Sequence, residues 1–161
     1  MNIDQFWAIM ESAKNADEPE VPVGNALAGL SVEELVSYQE HFDTLHANAY
    51  RWDVWGAAYI RDGGCSDDGF TDFRYGLISL GREIYEAALA DPDSLAAVDE
   101  GVEIANETFG YIALEAYEKK TGKDMPRNPH RRADPVGENW DFDDDDECRA
   151  RLPRLWKMFG A

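Results

Sequence analysis

The sequence predicts an all-α fold in a single domain. Apolar residues recur at three- and four-residue intervals along most of the 161 residues, helix-capping patterns precede several of these runs, and no segment alternates convincingly as a strand would. Apolar residues make up 44% of the chain and include five Trp, seven Tyr and seven Phe, which is enough for one core. We therefore expect one compact multi-helix domain over residues 1–161.

The amino-terminal part predicts two helices separated by a loop. An amphipathic run over residues 3–13 indicates the first helix, for which Asn2 is a suitable cap. Residues 15–29 contain two prolines and two glycines, so we interpret them as a loop with at most one short turn. Ser31 and Glu34 then form a capping box that begins a long helix.

Aromatic residues continue the helical period of this long helix after a kink near Tyr50. The pair Gly63-Gly64 ends the helix, because glycine accepts the left-handed conformation of a carboxyl-terminal cap. Ser66 or Asp67 caps the following helix, which we expect Gly81 to bend.

The carboxyl-terminal part is more irregular. Residues 95–105 predict a short helix and a connector, and a further helix ends at Gly122. Prolines exclude a continuous helix in the following segment, so we expect 123–147 to be irregular and partly mobile. Residues 152–159 predict a closing helix with Pro153 in its first turn.

The charge of the chain restricts its partners. Acidic residues outnumber basic ones by 33 to 15, for a formal net charge of −18. Such a chain repels nucleic acid and anionic membranes, because both present negative charge. The expected partners are an unknown protein or a small molecule, with no nucleic acid and no membrane.

The sequence also indicates a compartment. No apolar run approaches the length of a membrane span, and the amino terminus lacks the pattern of a secretory signal. Two distant cysteines do not form a disulfide framework. We therefore expect a cytoplasmic protein.

The segment Asp62–Phe70 is the most informative part of the sequence. It combines glycines, a thiol, a capping serine and two carboxylates between two helical runs. It is not a Walker phosphate loop, a dinucleotide fingerprint or an EF-hand, because the spacing of its residues fits none of them. One interpretation is a capped junction between packed helices, and the other is a polar binding site. The candidate ligand or partner residues are Trp52, Trp55, Cys65, Asp67, Asp68 and Arg74.

Arg74 and Cys65 each allow two interpretations. Arg74 falls on an apolar helix face, so it either forms a structural salt bridge with an Asp or binds a ligand. Cys65 precedes a helix start, which favours a thiolate, but Asp67 and Asp68 oppose the negative charge. The spacing of the three histidines does not indicate a general base for the thiol of Cys65. We therefore assign no catalytic residue.

The acidic run at 141–147 is the weak candidate for a cation site. Its carboxylates suit calcium or magnesium, but a solvated loop that places negative charge before the last helix is the simpler interpretation. No zinc pattern is present, and we expect no cofactor. The run could instead be neutralised by the nearby basic cluster, within the fold or across a homodimer. The metal candidates are Asp143, Asp144, Asp145 and Asp146, and the basic cluster is Arg127, His130, Arg131 and Arg132.

Several motifs resemble a known family. Trp52-Asp53-Val54-Trp55-Gly56-Ala57-Ala58-Tyr59-Ile60 is followed by Gly63-Gly64-Cys65-Ser66-Asp67-Asp68-Gly69-Phe70 and Phe73-Arg74, and Asp91-Pro92-Asp93-Ser94-Leu95 fits the same pattern. The chain thus resembles, over about residues 3–120, an uncharacterised bacterial family known as domain of unknown function 4240. The resemblance implies one cytoplasmic domain centred on the glycine-rich turn, and it implies no activity, cofactor or catalytic residue.

Three functions compete. The first is a non-enzymatic binding or regulatory module that uses the region from Trp52 to Arg74. The second is a small metal-assisted or thiol-dependent hydrolase or transferase centred on Cys65, Asp67 and Asp68. The third is an acidic decoy for a basic protein, which the net charge of −18 motivates.

Overall fold

The fold is all-α, as the sequence predicts. The structure is a computed structural model that describes residues 1–127 and 134–160, and over these residues it has nine α-helices, two 3₁₀ helices and no strand beyond an isolated bridge. The α-helices are α1 (Ile3–Glu11), α2 (Glu20–Ala28), α3 (Val32–Asn48), α4 (Trp52–Asp62), α5 (Asp67–Ser79), α6 (Arg82–Ala90), α7 (Ile112–Thr121), α8 (Asp145–Arg151) and α9 (Pro153–Phe159). The first 3₁₀ helix is Pro92–Ala97 and the second is Glu107–Tyr111. No helix in these two described ranges is long and apolar enough to cross a membrane.

The predicted cap at Asn2 and the predicted capping box at Ser31 are confirmed, and Asn2 also forms a capping box. The side chain of Asn2 accepts a hydrogen bond from the N–H of Gln5 at 2.9 Å, and that of Ser31 accepts one from the N–H of Glu34 at 3.1 Å. In each case the side chain at N3 accepts a hydrogen bond from the backbone N–H of the capping residue, so that donors left unpaired at a helix start are satisfied.

The prediction of a loop over residues 15–29 is wrong, because α2 occupies much of it. Pro22 lies in the first turn of α2, where a backbone N–H would have no partner within the helix. Val23 and Leu27 are fully buried, and α2 packs against α7. Tertiary packing therefore outweighs the weak helix propensity of a segment that contains Pro and Gly.

Two predicted bends are complete breaks. Between α3 and α4, Arg51 is extended and forms a bridge with Val136, so the helix does not continue through Tyr50. Between α5 and α6, Gly81 has a φ of 98°, which ends one helix before the next begins. The last residues of the acidic run also begin a helix that the sequence did not predict, α8, which precedes the closing helix α9.

The core is continuous and rich in aromatic side chains. The α3 helix packs against α5 and α7, and α9 packs against α4 and the first 3₁₀ helix. The largest fully buried side chains are Tyr38, Phe6, Phe42, Phe70, Phe73, Phe109, Met10, Leu27, Leu35, Leu77, Ile78 and Leu95.

Residues 98–106, which we call the connector, run directly over α5. A Cβ atom at Gly76 would overlap the carbonyl oxygen of Ile104, so only glycine permits this approach. The N–H of Asn106 also donates to the carbonyl of Asp72 at 3.0 Å. These backbone contacts fix the connector against the helix that follows the glycine-rich turn.

Candidate functional site

The glycine-rich turn joins α4 to α5 as predicted. Gly63 is left-handed, with a φ of 72°, and ends α4. The hydroxyl of Ser66 accepts a hydrogen bond from the N–H of Gly69 at 3.1 Å and caps α5. The predicted helix end is confirmed, and of the two predicted caps Ser66 is the one that forms.

Trp52 and Trp55 form one aromatic array with the turn. Their rings stack at 5.3 Å between centroids and 6° between planes, and the ring of Trp55 stacks on Phe70 at 5.0 Å. The indole N–H of Trp55 donates to the carbonyl of Cys65 at 2.9 Å. Trp55 therefore anchors the turn to α4 through both its ring face and its polar edge.

Residues 140–143 cover part of this array. The ring of Phe142 lies 6.2 Å from that of Trp55 and 5.3 Å from that of Tyr59. The hydroxyl of Tyr59 donates to Asp143 at 2.6 Å. Trp140 packs against Gly56, where a Cβ atom would overlap its ring. Residues 140–143 of the predicted irregular segment are therefore packed on α4.

Arg74 is buried, with 6% of its surface exposed. Its guanidinium lies over the rings of Tyr50 and Phe70, with its carbon 4.4 and 5.0 Å from the ring centroids. Its Nη1 donates to the carbonyl of His46 at 2.9 Å, and its Nη2 donates to the hydroxyl of Thr71 at 3.4 Å.

The expected salt bridge between Arg74 and an Asp is absent from the ion pairs of residues 1–127 and 134–160. Asp67 is linked to Arg74 only through Tyr50. Its carboxylate accepts a hydrogen bond from the hydroxyl of Tyr50 at 3.1 Å, and the ring of Tyr50 lies under the guanidinium of Arg74. Burial lowers the pKa of Arg74 to about 10, which leaves it charged at neutral pH. Backbone, hydroxyl and aromatic groups take the place of the carboxylate that sequence reasoning expected.

His46 completes the surroundings of Arg74. Its Nε2 lies 3.1 Å from the carbonyl of Thr71, which only accepts, so Nε2 carries the hydrogen and Nδ1 faces the guanidinium at 3.4 Å. Burial, followed by the charge of Arg74, lowers the pKa of His46 to about 4. The imidazole is therefore neutral at physiological pH.

Cys65 is half-buried and has a neutral thiol. Its Sγ donates to the carbonyl of Ser66 at 3.6 Å. Burial, and next the carboxylate of Asp62, raise the pKa of Cys65 to about 11. A thiolate is the nucleophilic form of cysteine, so this environment disfavours nucleophilic chemistry at neutral pH.

Several carboxylates surround the turn. Asp67 and Asp68 are exposed in the first turn of α5. Burial raises the pKa of Asp72, and the charges of Glu107 and Asp68 raise it further. We call Asp62, Asp67, Asp68, Asp72 and Glu107 the acidic turn surface. None of these five residues takes part in an ion pair of the described residues.

The metal candidates in the acidic run have separate roles. Asp143 accepts the hydroxyl of Tyr59, Asp144 caps α8, and Asp146 pairs with Arg149 at 2.9 Å. Asp145 is exposed in the first turn of α8. Across the two described ranges, no group of three or more His, Cys, Asp or Glu side chains could hold a metal ion.

The basic cluster upstream of the acidic run falls mostly outside the described residues. His130, Arg131 and Arg132 are among those that the structure does not describe. Arg127 is described, and it pairs with Asp43 of α3 at 2.9 Å. In the described part of the chain, two members of the acidic run pair with arginines of α8: Asp146 with Arg149 and Glu147 with Arg151.

Sequence reasoning missed two buried charged residues, Arg61 and Asp93, and a cleft. Arg61 lies on the same helical face as Val54 and Ala57. A charged residue in such an apolar stripe indicates a buried charge, so the sequence did carry a signal for Arg61. Asp93 lies in the family motif Asp91-Pro92-Asp93-Ser94-Leu95, but no spacing or periodicity in the sequence indicates that it is buried. The cleft, of about 950 Å³, is lined by residues 13–17, by parts of α5 and α6, and by most of the connector. These segments are far apart in the chain, so no local motif marks it.

Comparison with known proteins identifies the family of the chain. Residues 1–119 match the family model described as Protein of unknown function (DUF4240), which covers more than half of the 161 residues. No curated protein matches the chain, and neither does any solved structure. The matched part contains α1 to α6, both 3₁₀ helices, most of α7, the glycine-rich turn and Asp93. The chain therefore belongs to the family Protein of unknown function (DUF4240).

Proposed function

We propose that this protein is a non-enzymatic binding module that holds a positively charged partner protein at the region from Trp52 to Arg74. The contact would be made by the acidic turn surface. The observation that carries the proposal is the group of carboxylates around Cys65 that takes part in no ion pair of the described residues. A basic partner would relieve the repulsion from Glu107 and Asp68, which together with burial, the larger cause, raises the pKa of Asp72.

The rigidity of the turn supports this function. Trp55 holds the turn by stacking on Phe70 and by its hydrogen bond to Cys65. Arg74 also lies over the ring of Phe70 and connects it to α3 through its hydrogen bond to His46. Asp67 and Asp68 therefore project from a fixed helix start. A fixed surface binds a partner with little loss of conformational entropy.

The chemistry of the site favours binding over catalysis. The neutral thiol of Cys65 disfavours the thiol-dependent form of the hydrolase or transferase alternative. Asp67 accepts a hydrogen bond from the hydroxyl of Tyr50, and Asp68 belongs to no group of three or more possible metal ligands in the described residues. The decoy alternative shares the basic partner with our proposal, but it assigns binding to total charge instead of to one surface.

A matched pair of double variants separates these functions. Asp67→Asn with Asp68→Asn removes two charges from the acidic turn surface. Glu115→Gln with Glu118→Gln removes the same charge from exposed positions on α7. Proteins retained from a cell extract by the immobilised wild-type chain and by each variant are identified by mass spectrometry, and the affinity for the retained protein is then measured by calorimetry.

We expect a basic protein that binds the wild-type chain and the α7 variant equally and the turn variant at least about tenfold more weakly, with affinity that falls as salt is added. An equal loss of affinity in both variants would assign the binding to total charge and favour the decoy. A partner whose affinity is unchanged in the turn variant would contradict the proposed surface. Circular dichroism of both variants confirms that they are folded.

A further inference from the structure

The cleft of about 950 Å³ shares no lining residue with the acidic turn surface, and it adjoins that surface where Asn106 of the lining precedes Glu107. It is open to solvent and is lined by the segment between α1 and α2, by the junction of α5 and α6, and by the first 3₁₀ helix with the connector. Its volume is within the range of small-molecule sites.

One wall of the cleft is held in place by a buried arginine. Arg61, 7% exposed, donates to the carbonyls of Val98 at 3.2 Å, Asp99 at 2.5 Å and Val102 at 3.0 Å. The close approach of Ile104 to Gly76 fixes the next part of the same wall. The connector therefore has a defined conformation, and the cleft is formed before any ligand arrives.

The lining of the cleft is strongly acidic. Lys14 is its one described basic residue, and it already pairs with Glu11 at 3.6 Å. None of the lining carboxylates takes part in an ion pair of residues 1–127 and 134–160. These lining carboxylates are Asp17, Glu20, Glu83, Asp99 and Glu103.

The carboxylates come from separate elements and do not converge on one point. Asp17 precedes α2, Glu83 belongs to α6, and Glu103 belongs to the connector. No three acidic, His or Cys side chains of the described chain are grouped closely enough for a metal ion. The rest of the lining includes apolar side chains, among them Leu80 and Ile84. The cleft thus combines spaced negative charges with apolar surface.

We infer that this cleft binds a linear aliphatic polyamine. Such a molecule carries ammonium groups separated by short methylene chains, so its charges match spaced carboxylates while its methylene groups contact apolar side chains. A single divalent cation needs several oxygen ligands around one point, which these carboxylates do not provide. An anion would be repelled by the lining. The inference does not depend on the partner surface proposed for the turn.

Calorimetric titration with spermine tests the inference. The wild-type chain is compared with Glu20→Gln/Glu83→Gln, which removes two cleft charges, and with Glu115→Gln/Glu118→Gln, which removes the same charge from α7. We expect one saturable site in the wild-type chain, affinity about tenfold lower in the cleft variant, and a change of less than about twofold in the α7 variant. Butane-1,4-diol, which lacks ammonium groups, is expected not to bind.

Three results would overturn the inference. The first is spermine binding that does not saturate, which would indicate general counter-ion association with a chain of net charge −18. The second is equal weakening in the cleft and α7 variants. The third is displacement of spermine by magnesium at equal charge concentration, which would indicate that charge alone is recognised. Thermal unfolding of each variant confirms that loss of binding does not reflect loss of the fold.

Discussion

Arg74 of α5 donates a hydrogen bond to the backbone carbonyl of His46, at the carboxyl end of α3, over 2.9 Å. The last carbonyls of a helix lack partners within the helix, and this guanidinium supplies one. The same Nη1 lies 3.4 Å from Nδ1 of His46, so the imidazole must stay neutral beside a positive charge. The glycine-rich turn is therefore coupled to α3 through a buried contact that one proton would disturb.

His46 makes the stability of the fold depend on pH. Its pKa falls from about 6.5 in the unfolded chain to about 4 in the folded protein, so the unfolded chain binds the proton first as pH falls. The stabilisation is complete above about pH 6.5 and is lost towards pH 4. We expect wild type to lose roughly 2 to 3 kcal/mol of unfolding free energy, relative to His46→Gln, between pH 7.5 and 4.5. Urea unfolding at both pH values measures this, and parallel profiles for the two proteins would contradict it.

Substitution of Arg74 tests whether its role is mainly structural. Arg74→Ala removes the donor to His46 and leaves a space beside Tyr50 and Phe70, so we expect a loss of about 3 kcal/mol in unfolding free energy. Arg74→Lys keeps the charge but loses the planar stacking, so its loss should be smaller. Glu115→Gln, at an exposed site on α7, is the control. An unchanged denaturant midpoint for Arg74→Ala would instead mark the guanidinium as available to a ligand.

The features predicted correctly from the sequence are those with local causes. The caps at Asn2 and Ser31 and the left-handed glycine at Gly63 depend on a few consecutive residues, and each is present in the structure. Helix periodicity also predicts the all-α class, because the apolar stripes are local patterns.

The features that were missed depend on contacts between distant segments. The α2 helix forms because it packs on α7, and the break at Arg51 is stabilised by a bridge to Val136. The partners of Arg74 lie on α3 and α5, so its spacing within one helix did not identify them. The cleft combines carboxylates from several elements, and no spacing in the chain brings them together.

Gly76 is expected to be one of the least replaceable residues. A methyl group there would overlap the carbonyl oxygen of Ile104, and a backbone atom cannot rotate away as a side chain can. We expect Gly76→Ala to lower the unfolding free energy by about 3 kcal/mol or more. Gly24→Ala is the matched control, because its added methyl would lie 3.8 Å from Ile112 and helix propensity improves. Urea unfolding compares the two, and equal stability would contradict the close approach of the connector.

Tyr38 has a buried hydroxyl with no hydrogen-bond partner in the described structure. Its ring packs on Phe6 at 5.0 Å, so the ring contributes to the core while the hydroxyl is desolvated without compensation. We expect Tyr38→Phe to leave the unfolding free energy unchanged or to raise it by about 1 kcal/mol. Tyr85→Phe is the matched control, because the hydroxyl of Tyr85 donates to Leu45 at 2.6 Å and its loss should cost about 1 kcal/mol. Equal losses in the two variants would show that Tyr38 has a polar partner after all.

Asp93 fixes the closing helix to the part of the chain that matches the family. Its carboxylate is 4% exposed and accepts the N–H groups of Arg154 at 3.0 Å and Leu155 at 2.9 Å, so it caps α9 from another element. Asp93→Asn replaces one acceptor with a donor, and we expect a loss of about 2 to 3 kcal/mol with faster amide exchange over α9. Glu86→Gln breaks an exposed ion pair with Arg82 and should cost less than about 0.5 kcal/mol. Since α9 lies beyond residue 119, unchanged exchange in Asp93→Asn would mean that α9 is held by its apolar contacts and not by this cap.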